Sequence, residues 1–236
     1  MEITKGIEIV DLGLFIKKPK ILVLSDFHIG YEESLNIRGI LIPRTQFKET
    51  VKRLEIILEK TKPKIIVITG DLKHEFGANL GTEWKQVLRL IEFMSKKSKV
   101  ILLKGNHDAV LGYILKKANL KLQDYFKIKD AIILHGDNIP KHSDFKRSKM
   151  VLIGHEHPAV GLRDKAKIEY FKCFLKGKFK GKDLIVLPSF NLLLAGTNIL
   201  GQKLLSPFLK HNIENFKVFV VEENKVYDFG KIKKLR

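Results

Sequence analysis

The stretch Ile21-Leu22-Val23-Leu24-Ser25-Asp26-Phe27-His28 joins an apolar run to an Asp-x-His cluster. Four further apolar runs also end at a short polar cluster. These clusters are Gly70-Asp71, Gly105-Asn106-His107-Asp108, His135-Gly136-Asp137 and Gly154-His155-Glu156-His157. Five of the chain's eight histidines lie in the five clusters, so we interpret the clusters as parts of one site.

Seven side chains in these clusters are of the type that binds metal ions. They are Asp26, His28, Asp71, Asn106, His135, His155 and His157. Imidazole and carboxylate groups suit Mn, Fe and Zn, and one carboxylate can bridge two ions. Side chains two residues apart in an extended segment point the same way, so Asp26 with His28, and His155 with His157, are expected to converge. A single Gly-Asp pair is more typical of a turn, but the whole set predicts two neighbouring divalent metals.

The order of the clusters resembles the calcineurin-like metallophosphoesterase superfamily, whose motif blocks are Asp-x-His, Gly-Asp, Gly-Asn-His-Asp or Glu, His and Gly-His-x-His. All five blocks are intact, and together they span residues 21–157. Within the superfamily, the chain is similar to archaeal phosphoesterases related to bacterial endonucleases associated with DNA-repair ligases. The resemblance implies a hydrolase of phosphate esters built on two packed mixed β-sheets flanked by α-helices.

The resemblance also implies a role for each residue of the site. Asp26, His28 and His157 would hold one ion, Asn106, His135 and His155 would hold the other, and Asp71 would bridge both. His107 is then left without a metal and is the expected general acid, with Asp108 placed to orient or charge its imidazole. A hydroxide between the ions would be the nucleophile, since two ions roughly 3.5–4 Å apart lower the pKa of water. Mn is the preferred ion, with Fe and Zn as alternatives.

Six runs rich in Ile, Val and Leu are typical of buried strands. They are Ile21–Leu24, Ile65–Thr69, Val100–Leu103, Ala131–Leu134, Met150–Ile153 and Leu184–Leu187. Two stretches with helical period, Gln46–Lys60 and Glu83–Lys97, lie between the first three strands. This alternation predicts an α/β fold with the site at the carboxyl ends of the strands. A hairpin is predicted from Phe216–Val221 and Lys225–Phe229, and Ile7–Ile16 is expected to pair with the first core strand.

The ligand set runs through more than half of the chain, and no flexible linker follows it, so we expect residues 1–236 to form a single domain. Leu184–Gln202 carries no charged residue, but Pro188, Gly196 and several other polar or small residues interrupt it. A strand followed by a packed turn is therefore expected there, and not a membrane span. Cys173 is the only cysteine, which excludes an intrachain disulfide. With no signal-peptide pattern at the start, the protein is expected to be cytoplasmic.

The formal net charge is +18, from 44 Lys and Arg against 26 Asp and Glu, and this excess favours a polyanionic partner. The most concentrated basic segment is residues 172–182, where Lys172, Lys176, Lys178, Lys180 and Lys182 alternate with phenylalanines. It is typical of a hairpin with a solvated lysine face, and a nucleic-acid-binding rim is the alternative. Lys73 with His74, and Arg38 with Arg44, are weaker candidates for contacts with substrate phosphate.

Together these features predict a dinuclear-metal phosphoesterase that acts on phosphodiesters, with DNA as a candidate substrate. A phosphomonoesterase or nucleotide phosphatase would use the same metal core and is the alternative within enzymes. A non-catalytic nucleic-acid-binding scaffold is the alternative outside enzymes, although all the expected ligands are present. The sequence indicates neither the physiological substrate nor the oligomeric state.

Overall fold

The computed structural model describes residues 1–74, 81–108, 111–115, 120–164 and 167–235. Within these ranges, sixteen strands form one sheet of seven strands and one of nine. The first sheet contains, side by side in chain order, β1 (Glu2–Thr4), β2 (Ile7–Val10), β3 (Gly13–Ile16), β4 (Ile21–Leu24), β5 (Ile65–Ile68), β6 (Lys99–Leu103) and β7 (Leu122–Gln123).

The second sheet comprises the remaining strands. They are β8 (Tyr125–Ile128), β9 (Ala131–Leu134), β10 (Met150–Ile153), β11 (Pro158–Asp164), β12 (Lys167–Phe179), β13 (Lys182–Val186), β14 (Thr197–Asn198), β15 (Lys217–Glu222) and β16 (Lys225–Lys231). The α-helices are α1 (Tyr31–Ile37), α2 (Gln46–Thr61), α3 (Gly81–Ser95), α4 (Leu111–Leu115) and α5 (Ser143–Arg147), and a 3-10 helix covers Ile232–Lys234. The predicted α/β class with two mixed sheets is confirmed.

The centre of the first sheet consists of the parallel strands β4, β5 and β6, in register through Ile21, Ile65 and Lys99. Their apolar side chains are buried, as expected for strands covered on both faces. The connections contain α2 and α3, whose buried positions recur at helical spacing and join the same hydrophobic cluster as the strands. Parallel strands end at one edge of the sheet, so the segments after β4, β5 and β6 lie together there.

The second sheet repeats this arrangement with β9, β10 and β13, which are parallel and in register through Ala131, Met150 and Asp183. Alternate side chains of these strands face opposite ways. Ile133, Leu152 and Ile185 pack in the hydrophobic cluster that contains the first sheet. Ile132, Val151 and Leu184 pack in a second cluster with C-terminal residues such as Phe208. The two sheets therefore pack face to face.

The predicted C-terminal hairpin and the predicted pairing of Ile7–Ile16 with the first core strand are both present. Strands β15 and β16 pair antiparallel on either side of the turn at 223–224, and Ile7–Ile16 forms β2 and β3, with β3 paired to β4. None of the helices in the described ranges is long and apolar enough to cross a membrane. The uncharged stretch Leu184–Gln202 begins in β13 and continues as a loop to the short β14, which confirms the expected strand and turn.

The basic segment 172–182 is a hairpin of β12 and β13, which confirms the hairpin that the sequence favours, while a nucleic-acid-binding rim on it stays a prediction. Its turn residues Lys180 and Gly181 both have positive φ, and Phe179 is buried in the second cluster. Lys176 Nζ donates to the Ile3 carbonyl at 2.7 Å, and Lys178 pairs with Asp183 at 2.8 Å. Several of these ammonium groups therefore already bind carbonyl or carboxylate oxygens within the fold.

The ends of the two sheets meet at Gly154, which follows β10. A Cβ atom built on Gly154 would lie 2.6 Å from Asp26 Oδ2 and 2.7 Å from Thr69 Oγ1, inside van der Waals contact. Ser25 and Thr69, which follow β4 and β5, are joined by a hydrogen bond between their hydroxyl oxygens at 2.5 Å and are fully buried. A residue without a side chain is required where the second sheet approaches this pair.

We predict that Gly154→Ala destabilises the fold by about 1–3 kcal/mol or more, the usual cost of forcing a methyl group into a packed interior. The free energy of unfolding from urea denaturation measures the change. Gly201→Ala is the matched control, because a Cβ there meets no atom within 4 Å. Equal stability of the two variants would contradict the close approach of the sheets.

Candidate metal centre

Five of the seven predicted ligands have a left-handed backbone conformation. Asp26, His28, Asp71, His155 and His157 all have φ between 44° and 64°. The extended backbone that was expected for the Asp-x-His and His-x-His pairs is therefore wrong. Left-handed backbone costs a residue with a Cβ about 1–2 kcal/mol. Such conformations are typical of functional sites held by their surroundings.

The first group of side chains consists of Asp26, His28 and His157. His28 Nε2 lies 3.3 Å from His157 Nε2, and Asp26 Oδ1 lies 3.5 Å from His157 Nε2. One potential ligand atom from each residue lies within 4.8 Å of the others. Two segments far apart in sequence, one after β4 and one after β10, thus bring together the three residues that the motif assigns to one ion.

The second group consists of Asn106, His135 and His155. His135 Nε2 lies 2.9 Å from Asn106 Oδ1 and 3.1 Å from His155 Nδ1. Asp71 is also part of this group, since its Oδ2 is 3.5 Å from His135 Nε2. The same Asp71 oxygen lies 3.8 Å from His28 Nε2 of the first group. Asp71 therefore lies between the two groups, within 4 Å of an imidazole nitrogen of each.

The electrostatics of the site favour bound cations. Burial, followed by the charge of the nearby Asp26, raises the pKa of Asp71 to about 9. Burial also lowers the pKa of His28 to about 2 and that of His155 to about 4, so both imidazoles are neutral at pH 7. Neutral imidazole is the form that binds metals. A cation between the two carboxylates would remove the repulsion that disfavours their shared negative charge.

The available polar atoms fit two divalent ions. Asp26 Oδ1 is buried and accepts no hydrogen bond from any residue in the described ranges. His135 Nδ1 donates to the Thr69 carbonyl at 3.1 Å, which fixes the tautomer that leaves Nε2 as a ligand. The donors are carboxylate and amide oxygens and imidazole nitrogens, which suit Mn, Fe or Zn.

The contacts of His107 and Asp108 differ from the prediction. His107 Nδ1 donates to the His74 carbonyl, so this carbonyl is placed to orient the imidazole. His107 Nε2 lies 3.9 Å from Asp71 Oδ2, facing the candidate centre. The fully buried Asp108 carboxylate instead accepts hydrogen bonds from the backbone amides of Asp71 at 2.7 Å and Gly105 at 3.0 Å.

Asp108 therefore stabilises the loops that carry the predicted ligands. Its carboxylate links the loop after β5 to the loop after β6, and the Leu72 amide at 3.2 Å adds a third hydrogen bond. The motif pattern indicates that an acidic residue belongs at this position. It does not reveal whether the carboxylate contacts an imidazole or the backbone.

The weaker candidates for phosphate contacts lie in different surroundings. Lys73 is fully buried, with Nζ 3.6 Å from the carboxylate of Glu83, so it cannot meet a substrate without rearrangement. Arg44 pairs with Glu33 at 2.9 Å on the surface. The ring of His74 lies beside the rings of His28 and His107, with centroids 5.5 and 5.6 Å away. The fold therefore brings His74 to the centre.

The loop after β13 supports the first ligand pair, which the sequence interpretation missed. Ser189 Oγ donates to the Asp26 carbonyl at 2.7 Å. Asn191 Nδ2 donates to the carbonyls of Phe27 at 2.9 Å and His28 at 3.1 Å. In the sequence, these residues interrupt an uncharged stretch, and that was the only signal they gave.

Lys172 also binds the loop after β13. Its Nζ donates to the carbonyls of Ser189 at 3.1 Å and Leu194 at 2.6 Å. Burial lowers the pKa of Lys172 to about 7. This lysine, assigned by sequence to a basic surface, is therefore part of the packing behind the candidate centre.

A family model described as calcineurin-like phosphoesterase matches residues 19–212. The chain therefore belongs to the calcineurin-like phosphoesterase family, which confirms the resemblance of its motifs and identifies it as a metal-dependent phosphoesterase.

Two solved structures are similar to this chain over most of its length. Nuclease MPE from Pseudomonas putida matches with a TM-score of 0.67 and 19% identity, covering 94% of each chain. Yfce, a phosphoesterase from E. coli, matches with a TM-score of 0.41 and 14% identity, covering 89% of this chain and 98% of that one. The first of these likenesses supports the fold.

We predict that Asn191→Ala lowers metal affinity by about 10–100-fold, the usual effect of removing a group that supports metal ligands. The expected cause is the loss of the hydrogen bonds to the Phe27 and His28 carbonyls. Isothermal titration calorimetry with the metal ion measures the affinity, and circular dichroism checks the fold. Asn212→Ala, in an exposed turn, is the control. Unchanged affinity in a folded Asn191→Ala protein would refute the supporting role.

Proposed function

We propose that this protein is a dinuclear-metal-dependent phosphodiesterase, and that it cleaves phosphodiester bonds of nucleic acid. The observation that carries the proposal is the position of Asp71 Oδ2, 3.8 Å from His28 Nε2 in one ligand group and 3.5 Å from His135 Nε2 in the other. Asp26, His28 and His157 would hold one ion, and Asn106, His135 and His155 would hold the other. When bound, the two ions supply charge neutralisation and an activated water.

The chain's own residues would orient the ester and move one proton. His107 has its Nδ1 hydrogen engaged by the His74 carbonyl, so its Nε2 is the atom that would donate a proton to the leaving oxygen. Burial lowers the pKa of His107 from its usual value. The negative charge of a bound phosphate ester would favour the protonated imidazole, because an opposite charge nearby raises the pKa of a histidine.

Three features support the preference for diesters. The net charge of +18 favours a polyanionic substrate, although some lysines of residues 172–182 are engaged within the fold. The name of the Pseudomonas putida nuclease, whose fold is similar, adds to this. The motif-level resemblance to relatives of repair endonucleases points the same way. A phosphomonoesterase remains the alternative, since both activities use the same metal core.

The remaining expectations form part of the same proposal. Mn is the preferred ion, the whole chain of residues 1–236 acts as one domain, and the enzyme works in the cytoplasm. The single-domain proposal is supported by Phe174 and Phe219 of the second sheet, which pack in the hydrophobic cluster of the first sheet.

The test is metal analysis combined with a substrate panel. Reconstituted protein should hold two ions per chain, and Asp71→Asn should lose most of its activity while remaining folded. The panel contains an aryl phosphodiester, the matching aryl phosphomonoester and single-stranded DNA. Faster turnover of the monoester than of the diester would show that the protein is a phosphomonoesterase, which is the alternative. One ion or fewer with full activity would refute the bridged centre.

His107→Ala should retain both ions and lower turnover by about 10²–10⁴, the usual contribution of a general acid. The loss should be smaller for an aryl ester, whose leaving group needs no proton, than for an alkyl ester. Rates and metal content of the two proteins are measured side by side. Release of an ion, or equal losses for the two esters, would show that His107 does not act as the acid.

A further inference from the structure

A polar cleft adjoins the second ligand group. Its cavity volume is about 550 Å³, within the range of small-molecule sites. Gly105, Asn106 and His135 form one part of the lining, so the cleft is continuous with the candidate centre. A group attached to an ester at the centre could extend directly into this space.

An ordered aromatic pair forms another part of the cleft lining. The rings of Tyr125 and His142 are stacked, with centroids 4.2 Å apart and an interplanar angle of 19°. Tyr125 Oη donates to Asp144 at 2.9 Å, and His142 Nδ1 accepts from the Phe145 amide at 3.2 Å, where it caps α5. Both rings are thus held in place before any ligand arrives. Stacking on rings already held in place has a low entropic cost.

The charges in the cleft indicate which part of a substrate fits. Among the described residues, the lining contains the carboxylates of Asp124 and Asp137, one ammonium group, that of Lys104, and the polar Asn138, beside the two histidines. Two carboxylates against one ammonium disfavour a further phosphate group. An uncharged, flat and polar-edged group is the better occupant. A nucleobase with its sugar has these properties.

Resting on the proposed function, we propose that the Tyr125–His142 cleft binds a nucleoside of the phosphodiester substrate, next to the phosphate that is cleaved. The nucleobase stacks on the aromatic pair, and Asn138 and the neighbouring polar groups meet its edge. The cleft thereby makes the enzyme select esters that carry a nucleoside over equally reactive esters that do not.

The test compares two diesters with the same leaving group. One is the p-nitrophenyl ester of thymidine monophosphate, and the other is p-nitrophenyl methyl phosphate. Wild-type protein should prefer the thymidine ester in kcat/KM. Tyr125→Leu and His142→Asn should each reduce this preference by about 5- to 150-fold, the range expected for loss of one base–aromatic stack.

Two matched variants separate stacking from folding. Tyr125→Phe keeps the ring and loses only the hydrogen bond to Asp144, so the preference should be retained. Asn is a good helix cap, and His142→Asn therefore removes the ring without losing the cap of α5. A preference that is unchanged in both ring-removing variants, or an equal fall for both esters, would overturn the proposal.

Calorimetry keeps the test independent of turnover. Thymidine monophosphate should bind metal-loaded wild-type protein more tightly than methyl phosphate does, and Tyr125→Leu should bind the two equally. If wild-type protein hydrolyses neither diester, the proposed function fails. The difference in affinity between thymidine monophosphate and methyl phosphate then still shows whether the cleft binds a nucleoside. Equal binding of the two phosphates by wild-type protein would refute that site.

Discussion

Asp26 Oδ2 accepts hydrogen bonds from the Ser25 hydroxyl and from the His155 amide at 3.0 Å. The first belongs to the segment after β4, and the second to the segment after β10, so one carboxylate oxygen joins the two sheets at their ends. Its other oxygen is left to face the histidines. Gly154 brings the backbone of the second sheet close to this carboxylate. A change in the contact between the sheets would therefore also move the Asp26 carboxylate and change the geometry of the centre. The shape of the site therefore depends on how the whole sandwich is packed.

The ligand loops are maintained by hydrogen bonds to their backbones. Five left-handed residues at about 1–2 kcal/mol each represent strain comparable to the net stability of a domain. Ser189 and Asn191 bind the carbonyls of one strained loop, and Asp108 binds the amides of another. Strain of this kind persists because the surrounding structure offsets it. The result is a set of ligand atoms brought together before the cations that they suit are bound.

The sequence was sufficient to predict the central strands, because they are apolar runs covered on both faces. Ile21–Leu24, Ala131–Leu134 and Met150–Ile153 were predicted with the boundaries that the structure has. The membership of the candidate site also followed from the sequence, since the motif residues come directly after those strands. What each polar group contacts did not follow, as Asp108 and Lys172 illustrate. Their roles depend on loops that are distant in sequence, and local patterns carry no information about such contacts.

The lysines that bind backbone carbonyls change how the protein's charge should be understood. Lys172 and Lys176 place their ammonium groups against carbonyl oxygens, as does Lys182 with the Lys146 carbonyl at 2.8 Å. Lys73 is buried beside Glu83. A carbonyl oxygen does not by itself cancel the charge of the ammonium group that it accepts from, so these lysines still count in the formal +18. The contacts instead fix where these ammonium groups lie, so the lysines still attract a polyanion at a distance but are not free to follow its backbone at close range.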